Sequence, residues 1–233
     1  MKIRIKFSKT GHLKYIGHLD IMRCFQKIMR RAEVDIAYSA GFSPHQIMSF
    51  ASPLGLGLTS EGEYVDIEVL STQSSEVMLK KINAVTVDGL QVLSYVRLPD
   101  QAKTAMSMVA AADYRVSFNH PVSPRVKEQF EDFLSRDSIV ITKKTKKSEM
   151  DLDIRPLIYQ AGMEEQTLYL QLSAGSAANL KPEQVLEAFI EAYGIDPDAL
   201  SCHIHRLEMY ADLAKTGQKR RLIPLEGMGE AIV

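Results

Sequence analysis

The chain has 233 residues, of which 45% are hydrophobic and 24% are charged, as in globular proteins and unlike disordered chains. No apolar run is long enough to cross a membrane, and the opening residues, MKIRIKFSK, lack the apolar core of a secretion signal. The two cysteines, Cys24 and Cys202, cannot by themselves form a disulfide framework or hold an iron–sulfur cluster. We therefore expect a cytoplasmic protein that carries no cofactor of its own.

The net charge of −1 is unevenly distributed along the chain. Residues 1–31 contain nine lysines and arginines but a single acid, Asp20, so they carry +8 and the remaining residues carry −9. A local excess of positive charge indicates an acidic partner. We predict that the N-terminal region binds nucleic acid or another phosphate-bearing ligand.

The N-terminal half has the hydrophobic patterns of six elements in the order β-α-β-β-α-β. Its strands alternate apolar and polar residues, and its helices repeat apolar residues every three to four positions. In chain order the segments are MKIRIKF, LDIMRCFQKIMRRA, a short strand near Ile36–Ala40, YVDIEVL, SSEVMLKKINAV and GLQVLSYVRL. This order is that of the ferredoxin-like fold.

The C-terminal half repeats this architecture without residue-level identity. Its segments are DYRVSF, SPRVKEQFEDFL, SIVITKK, MDLDIRPLI, QTLYLQL, KPEQVLEAFIEAY and CHIHRLEMY. We predict an α+β protein of two tandem ferredoxin-like units, residues 1–99 and 113–211. Residues 100–112 are expected to connect the units, and the tail, residues 212–233, is expected to lie loosely on the surface.

Two outward-facing rows lie side by side in the predicted first sheet: Lys2, Arg4 and Lys6 on the first strand, and Tyr64, Asp66 and Glu68 on the third. On an open sheet face the basic row could bind phosphate. Opposite charges on neighbouring strands, however, form ion pairs that neutralise such a row. We favour the ion pairs.

The first helix offers a stronger candidate for phosphate binding. It carries Arg23, Lys27 and Arg30 at i, i+4 and i+7, with Arg31 beside them, and the preceding loop adds Lys9, His12 and Lys14. Arginine binds phosphate in a bidentate manner without reading base sequence. The alternative is an ordinary solvated helix face, although such faces usually mix their charges.

The sequence also contains three weaker signals. The loop KTGHLKYIGH, Lys9–His18, has glycines and lysines before a helix, as phosphate loops do, but it lacks the G-x-x-x-x-G-K-[ST] signature of nucleotide hydrolases. The run KKTKK, Lys143–Lys147, either extends the basic patch or only improves solubility. No histidine or cysteine spacing matches a zinc site, and there is no G-x-S-x-G, so we predict neither a metal nor a serine nucleophile.

The apolar segment YSAGFSPHQIMSFASPLGLGL, Tyr38–Leu58, is too broken for a helix. Phe42, Ile47 and Phe50 can anchor it on the core and leave a polar edge that includes Ser43 and His45. One interpretation is a packed cover in which His45 is bonded to the backbone. The other is one wall of a groove beside the basic helix, in which Ser43 and His45 contact a phosphate or a base.

Two stretches, RIKFSKTGHLKYIGHLDIMRCFQKIMRRA and YSAGFSPHQIMSFASPLGLGLTSEGEYVDIEV, together with DIRPLI, resemble the bacterial radical-SAM-linked proteins, a domain of unknown function. The combination of S-x-G-F-x-P-H with the later S-F-x-x-P-L-x-x-G is specific. Members are typically fused to, or encoded beside, cobalamin-binding radical SAM proteins, often near genes for RNA processing. Because this chain lacks the three-cysteine motif of a radical SAM enzyme, the resemblance implies an accessory protein with a separate radical SAM partner.

We therefore expect a non-catalytic protein that binds RNA, or presents an RNA- or ribosome-related substrate to a radical SAM enzyme. Two alternatives stay open. One is a metal-free RNA-processing or RNA-modifying enzyme with His45 or His18 as general base. The other is a protein-interaction module whose apolar loop docks the radical SAM partner.

Overall fold

The computed structural model describes residues 1–144, 149–176, 178–215 and 217–233. The chain divides into two compact units, an N-terminal unit of Met1–Ala110 with Arg206–Val233, and a C-terminal unit of Ala111–His205. Both combine helices with antiparallel strands, which confirms the predicted mixture of α and β structure. Within the described ranges, no helix has the length and apolarity needed to span a membrane.

The N-terminal unit begins with strand β1 (Lys2–Lys9), helix α1 (His18–Arg31), strand β2 (Met48–Phe50), strand β3 (Thr59–Glu68), helix α2 (Ser75–Asn83), strand β4 (Leu90–Arg97) and the short helix α3 (Ala105–Met108). A 3-10 turn, Gly11–Tyr15, links β1 to α1. The prediction of a strand near Ile36–Ala40 is wrong, because this stretch forms only isolated bridges. The strand lies further along the chain, as β2.

Three strand pairings of this unit are antiparallel. Strand β1 lies between β3 and β4, and β2 pairs with the last part of β3. Alternation along β1 buries Ile3, Ile5 and Phe7 in the core. The rings of Phe7, Phe25 and Phe50 pack together with centroids 4.6 to 6.1 Å apart. This contact fixes α1 on the sheet by its apolar side and leaves its polar side exposed.

The C-terminal unit continues with strand β5 (Val109–Phe118), helix α4 (Pro124–Ser135), strands β6 (Val140–Lys144), β7 (Glu149–Asp153), β8 (Ile158–Glu164) and β9 (Thr167–Ser173), helix α5 (Pro182–Tyr193) and strand β10 (Cys202–Asp212). Strand β9 lies between β5 and β8, and β6 and β7 form a separate two-stranded sheet. The rings of Phe130, Phe133 and Phe189 pack α4 against α5. From Arg206 onward, β10 belongs to the N-terminal unit.

The end of the chain is packed into the N-terminal unit. Strand β11 (Leu222–Pro224) pairs with β10, and strand β12 (Glu230–Ala231) pairs with β4. Leu225, between them, is fully buried. The expectation of a loose tail is therefore wrong. The stretch 100–112, expected to be a connector, contains α3 and the first residues of β5.

Two of the three cations in the outward row of β1 form ion pairs, and one of these pairs is with β3 as predicted. Arg4 lies opposite Asp66 in the strand register, and its Nε is 2.8 Å from Asp66 Oδ1. Lys6 instead binds two acids further along the chain, with Nζ 2.6 Å from Glu208 and 3.1 Å from Glu226, and Lys2 Nζ donates to the backbone oxygen of Ala102. The face is not open as expected, because Arg4 is fully buried.

Gly62 marks a close approach between β3 and β10. A Cβ atom there would lie 2.6 Å from the Leu207 carbonyl oxygen and 2.6 Å from Glu208 Cα. We expect Gly62→Ala to destabilise the protein by about 1–3 kcal/mol, because backbone must move to admit the methyl group. Thermal unfolding measures this, with Gly55→Ala as the control, since its Cβ would meet only Leu58 at 3.8 Å. Equal effects of the two substitutions would contradict the close approach.

Candidate functional site

Helix α1 presents a basic face to solvent. Its buried side consists of Ile21, Phe25, Ile28 and Met29. Residues three and four apart share a helix side, and the exposed side carries Arg23, Lys27, Arg30 and Arg31. We call these four residues the basic face.

Three of the four cations carry uncompensated charge. Arg23 is paired with Asp20, with Nη1 3.1 Å from Oδ1. Across the described ranges of the chain, no carboxylate forms an ion pair with Lys27, Arg30 or Arg31. Their charge acts on the thiol of Cys24: burial raises its pKa, and Lys27 and Arg31 partly offset that rise.

The three residues expected to extend the basic face are divided between two environments. His12 is exposed and Lys14 half-buried in the 3-10 turn before α1, with Lys14 Nζ 5.1 Å from the Tyr15 ring centroid. Lys9 is the last residue of β1 and only 3% exposed. It therefore does not belong to the exposed surface.

The segment Tyr38–Leu58 lies against α1, as the groove interpretation requires. The Nε2 of Gln46 donates to the backbone oxygen of Gln26 in α1, at 3.3 Å. Phe50 is buried and Ile47 half-buried, as expected of anchoring residues. Phe42 is fully exposed, so its predicted role as an anchor is wrong. Its ring is a feature of the surface.

The two candidate general bases have different surroundings. His45 is exposed, and its Nδ1 lies 2.8 Å from Ser39 Oγ and 3.5 Å from the backbone oxygen of Ser43, which is also exposed. His18 is half-buried, and its ring meets that of Phe50 edge-on at 5.3 Å. His45 thus belongs to the exposed loop, whereas His18 lines a pocket.

This pocket, which we call the Lys9 pocket, opens beside the first turn of α1. Its polar lining is supplied by Lys9, His18, Ser52, Glu63 and Tyr64. Its cavity volume is ≈ 20 Å³, room for about one water-sized group. Lys9 and His18 are both candidates from the sequence, but no sequence pattern brings them together or points to Ser52 and Glu63.

A buried ion pair lies next to the pocket. Arg206 Nε donates to Glu63 Oε1 at 2.9 Å, and Nη2 donates to Glu63 Oε2 at 2.6 Å. The same Nη2 donates to the backbone oxygen of Ser52 at 2.7 Å. The two charged side chains are only 3% and 7% exposed, so Arg206 occupies both Glu63 oxygens away from water.

Lys9 lacks such a partner. In the part of the chain that the structure describes, no group accepts a hydrogen bond from its ammonium. Burial lowers the pKa of Lys9, the carboxylate of Glu63 partly offsets this, and Arg206 lowers it further. One signal could have identified this residue: Lys9 continues the alternation of Ile3, Ile5 and Phe7, the core side of β1.

Two other predictions concern the run KKTKK and the absence of a metal site. Of the run KKTKK, residues 145–147 lie outside the described residues. Among the residues that are described, no group of three or more His, Cys, Asp or Glu is arranged to hold a metal ion.

The fold and these sites define a mixed α and β protein with an exposed basic helix and a small pocket that contains Lys9. The chain belongs to the family described as "Uncharacterized protein conserved in bacteria (DUF2344)", whose profile matches residues 2–182. That range contains the basic face, the segment Tyr38–Leu58 and the residues lining the Lys9 pocket. A comparison with curated proteins finds no match.

The chain is also similar to solved structures of low sequence identity. One is the "Crystal Structure of a Cbf5-Nop10-Gar1 Complex", at 8% identity and a TM-score of 0.46, with 89% of this chain and 48% of that chain covered. Another is an unknown protein from Galdieria sulphuraria, at 10% identity and a TM-score of 0.28, with 88% and 96% covered. This chain therefore spans about half the length of the first matched chain.

Proposed function

We propose that this protein binds single-stranded RNA along the basic face of α1. The observation that carries the proposal is the row of Lys27, Arg30 and Arg31, all exposed and without an ion pair among the described residues. Arginine and lysine bind phosphate oxygens whatever the base sequence. The row therefore suits the RNA backbone.

An exposed aromatic ring close to α1 favours a single strand over a duplex. Gln46 Nε2, which donates to Gln26 of α1, also lies 3.5 Å from the Tyr38 hydroxyl, so Tyr38 is close to the helix. Tyr38 is 52% exposed, and the same segment carries the exposed Phe42. Stacking of bases on such rings contributes about 1–3 kcal/mol per base.

The biological setting of the proposal is an accessory role. The resemblance to radical-SAM-linked proteins supports a separate radical SAM enzyme as partner. In this role the protein holds an RNA- or ribosome-related substrate through α1, and the partner carries out the chemistry.

For the fold, we propose the ferredoxin-like plan in both units. In the N-terminal unit it is supported by the antiparallel order β4-β1-β3-β2, with α1 after β1 and α2 after β3. In the C-terminal unit it is supported by the order β5-β9-β8. The separate sheet of β6 and β7 is an addition to the plan.

Neutralising the basic face is expected to weaken RNA binding in a salt-dependent manner. In a Lys27→Gln/Arg30→Gln/Arg31→Gln variant, three phosphate contacts are lost. Each contact with a single strand contributes about 0.7 to the slope of log K against log salt, so the slope should fall by about 2. Fluorescence anisotropy with a labelled single-stranded RNA, from about 50 to 200 mM salt, measures it.

The tail provides a matched control, because Lys219, Arg220 and Arg221 are exposed and have the same side chains in the same numbers. Glutamines at these positions should leave the slope unchanged. An equal decrease in both variants would contradict the assignment to α1. If the unmodified protein showed no salt-dependent binding, RNA binding itself would be overturned.

A further inference from the structure

Lys9 is only 3% exposed, and among the described residues no group accepts a hydrogen bond from its ammonium. The ammonium can donate three hydrogen bonds. Glu63 and the Ser52 carbonyl oxygen are hydrogen-bonded to Arg206, and neither accepts from Lys9 in the structure. The pocket therefore leaves a place for an acceptor from outside the chain.

A second, independent feature, the N-terminus of α1, also favours a ligand in this pocket. The first turn of α1 contributes His18 and Ile21 to the pocket, and its N-cap, Gly17, has no side chain to accept from the first N–H groups. In a helix of 14 residues, these N–H groups and the helix dipole favour an anion at this end. An uncapped helix start and an unpaired ammonium thus meet at one cavity.

The charge balance of the pocket also favours an anion. The carboxylate of Glu63 is ion-paired with Arg206, and it only partly offsets the effect of burial on Lys9. Because Arg206 holds that carboxylate through short hydrogen bonds, Glu63 is not free to turn toward Lys9. The charge of Lys9 is therefore left for a ligand to neutralise, and the His18 ring can add a hydrogen bond.

We propose that the Lys9 pocket binds a phosphate group, supplied either as free inorganic phosphate or as the terminal phosphate of an RNA. The cavity volume of ≈ 20 Å³ admits about one water-sized group. One phosphate oxygen therefore reaches Lys9, while the rest of the group stays at the mouth and a sugar or base is excluded. None of the basic-face residues takes part, so the site stands whether or not that face binds RNA.

Inorganic phosphate is expected to raise the thermal unfolding midpoint of the unmodified protein, relative to chloride at equal ionic strength. Lys9→Met removes the charge and keeps an unbranched side chain. Loss of a charge-assisted hydrogen bond should weaken phosphate binding by about tenfold or more. Lys14→Met, the matched control in the nearby 3-10 turn, should keep the full response.

The Lys9→Met variant is expected to fold, because an apolar, unbranched side chain replaces a residue that is only 3% exposed and has no hydrogen-bond partner for its ammonium among the described residues. In phosphate-free buffer its unfolding midpoint should equal or exceed that of the unmodified protein. Loss of the phosphate response can then be assigned to the ligand site and not to a damaged fold.

Phosphate binding is also expected to weaken at alkaline pH, since it requires protonated Lys9. The groups facing Lys9 are Glu63, Arg206, His18 and Tyr64. Because burial places the pKa of Lys9 below its ordinary 10.5, binding should decline before that pH is reached. The second pKa of a phosphate monoester, about 6, lies well below that pH, and burial raises the pKa of Tyr64.

RNAs with a terminal 5′- or 3′-phosphate, compared with the same RNA bearing hydroxyl ends, distinguish the two sources. A preference for phosphorylated ends that Lys9→Met abolishes assigns the pocket to RNA termini. Equal binding of all three RNAs, with the response to inorganic phosphate retained, assigns it to free phosphate. The proposal is overturned if the unmodified protein responds to neither probe, or if Lys9→Met responds as strongly as the unmodified protein.

Discussion

Replacing Asp66 with asparagine is expected to destabilise the protein by about 3–5 kcal/mol, because it removes the counter-charge of a buried guanidinium. Arg4 is fully buried, and its Nε and Nη2 donate to the two Asp66 oxygens at 2.8 and 3.0 Å. Asp66 also accepts a 2.7 Å hydrogen bond from the N–H of Ala105 at the start of α3. Asparagine supplies no negative charge, and Arg4 cannot reach water in its place.

Chemical denaturation measures this loss as a shift of the midpoint at constant slope. Glu68→Gln, two residues along the same strand and only half-buried, is the control and should change stability by no more than about 0.5 kcal/mol. Removing both charges, in Arg4→Met/Asp66→Leu, should recover most of the lost stability. An Asp66→Asn variant as stable as the control would contradict the importance of the pair.

The ion pair between Arg4 and Asp66 could be predicted from the sequence because it depends on local patterns. Alternation within β1 and β3 sets which side chains share a face. The expected strand order then places the two rows side by side, and the observed register sets Arg4 against Asp66.

The covering of that face could not be predicted in this way. Arg4 Nη1 donates to the backbone oxygen of Leu225, 221 residues further along the chain. The strand that follows, β12, has only two residues, too few for any periodicity. A segment held by such distant contacts leaves no local pattern, so its apolar and basic residues suggested only a loose tail.

The two candidate sites differ in the same way: local sequence patterns predict one of them and not the other. The basic face could be found because cations at helical spacing share one side of α1. The Lys9 pocket could not, because it depends on Glu63 and Arg206, which are 143 residues apart. Lys9 itself was assigned to the loop that follows β1, although the alternation of β1 extends to it.

The two proposed sites are expected to differ in how strongly salt weakens binding. The basic face is exposed, so its interactions are screened over a Debye length of about 8–10 Å near physiological salt. Lys9 is nearly inaccessible to solvent, and screening acts much less on buried charges. A terminal phosphate held in the pocket should therefore keep its contribution at salt concentrations that remove backbone binding.

Glu63→Gln is expected to lower the free energy of unfolding by about 3–5 kcal/mol, because it leaves Arg206 buried without its ion-pair partner and removes a negative charge that acts on Lys9. Both cations are 3% exposed, so water cannot replace the lost charge. Glutamine keeps the shape of the side chain and one acceptor oxygen, which limits the change to electrostatics. Chemical denaturation in phosphate-free buffer measures the loss.

The double variant Glu63→Gln/Lys9→Met tests whether Lys9 and Arg206 repel each other once the Glu63 carboxylate is removed. Removing Lys9 should return part of the stability, with a coupling of about 0.5–3 kcal/mol, the range found for residues in one network.

Since Glu63 is the group that raises the pKa of Lys9, that pKa should fall further in the Glu63→Gln single variant. The native state then binds fewer protons than the unfolded chain below pH 10.5, so stability should rise with pH in that window. A purely additive double variant, without this pH dependence, would show that Lys9 does not interact with the Glu63–Arg206 pair.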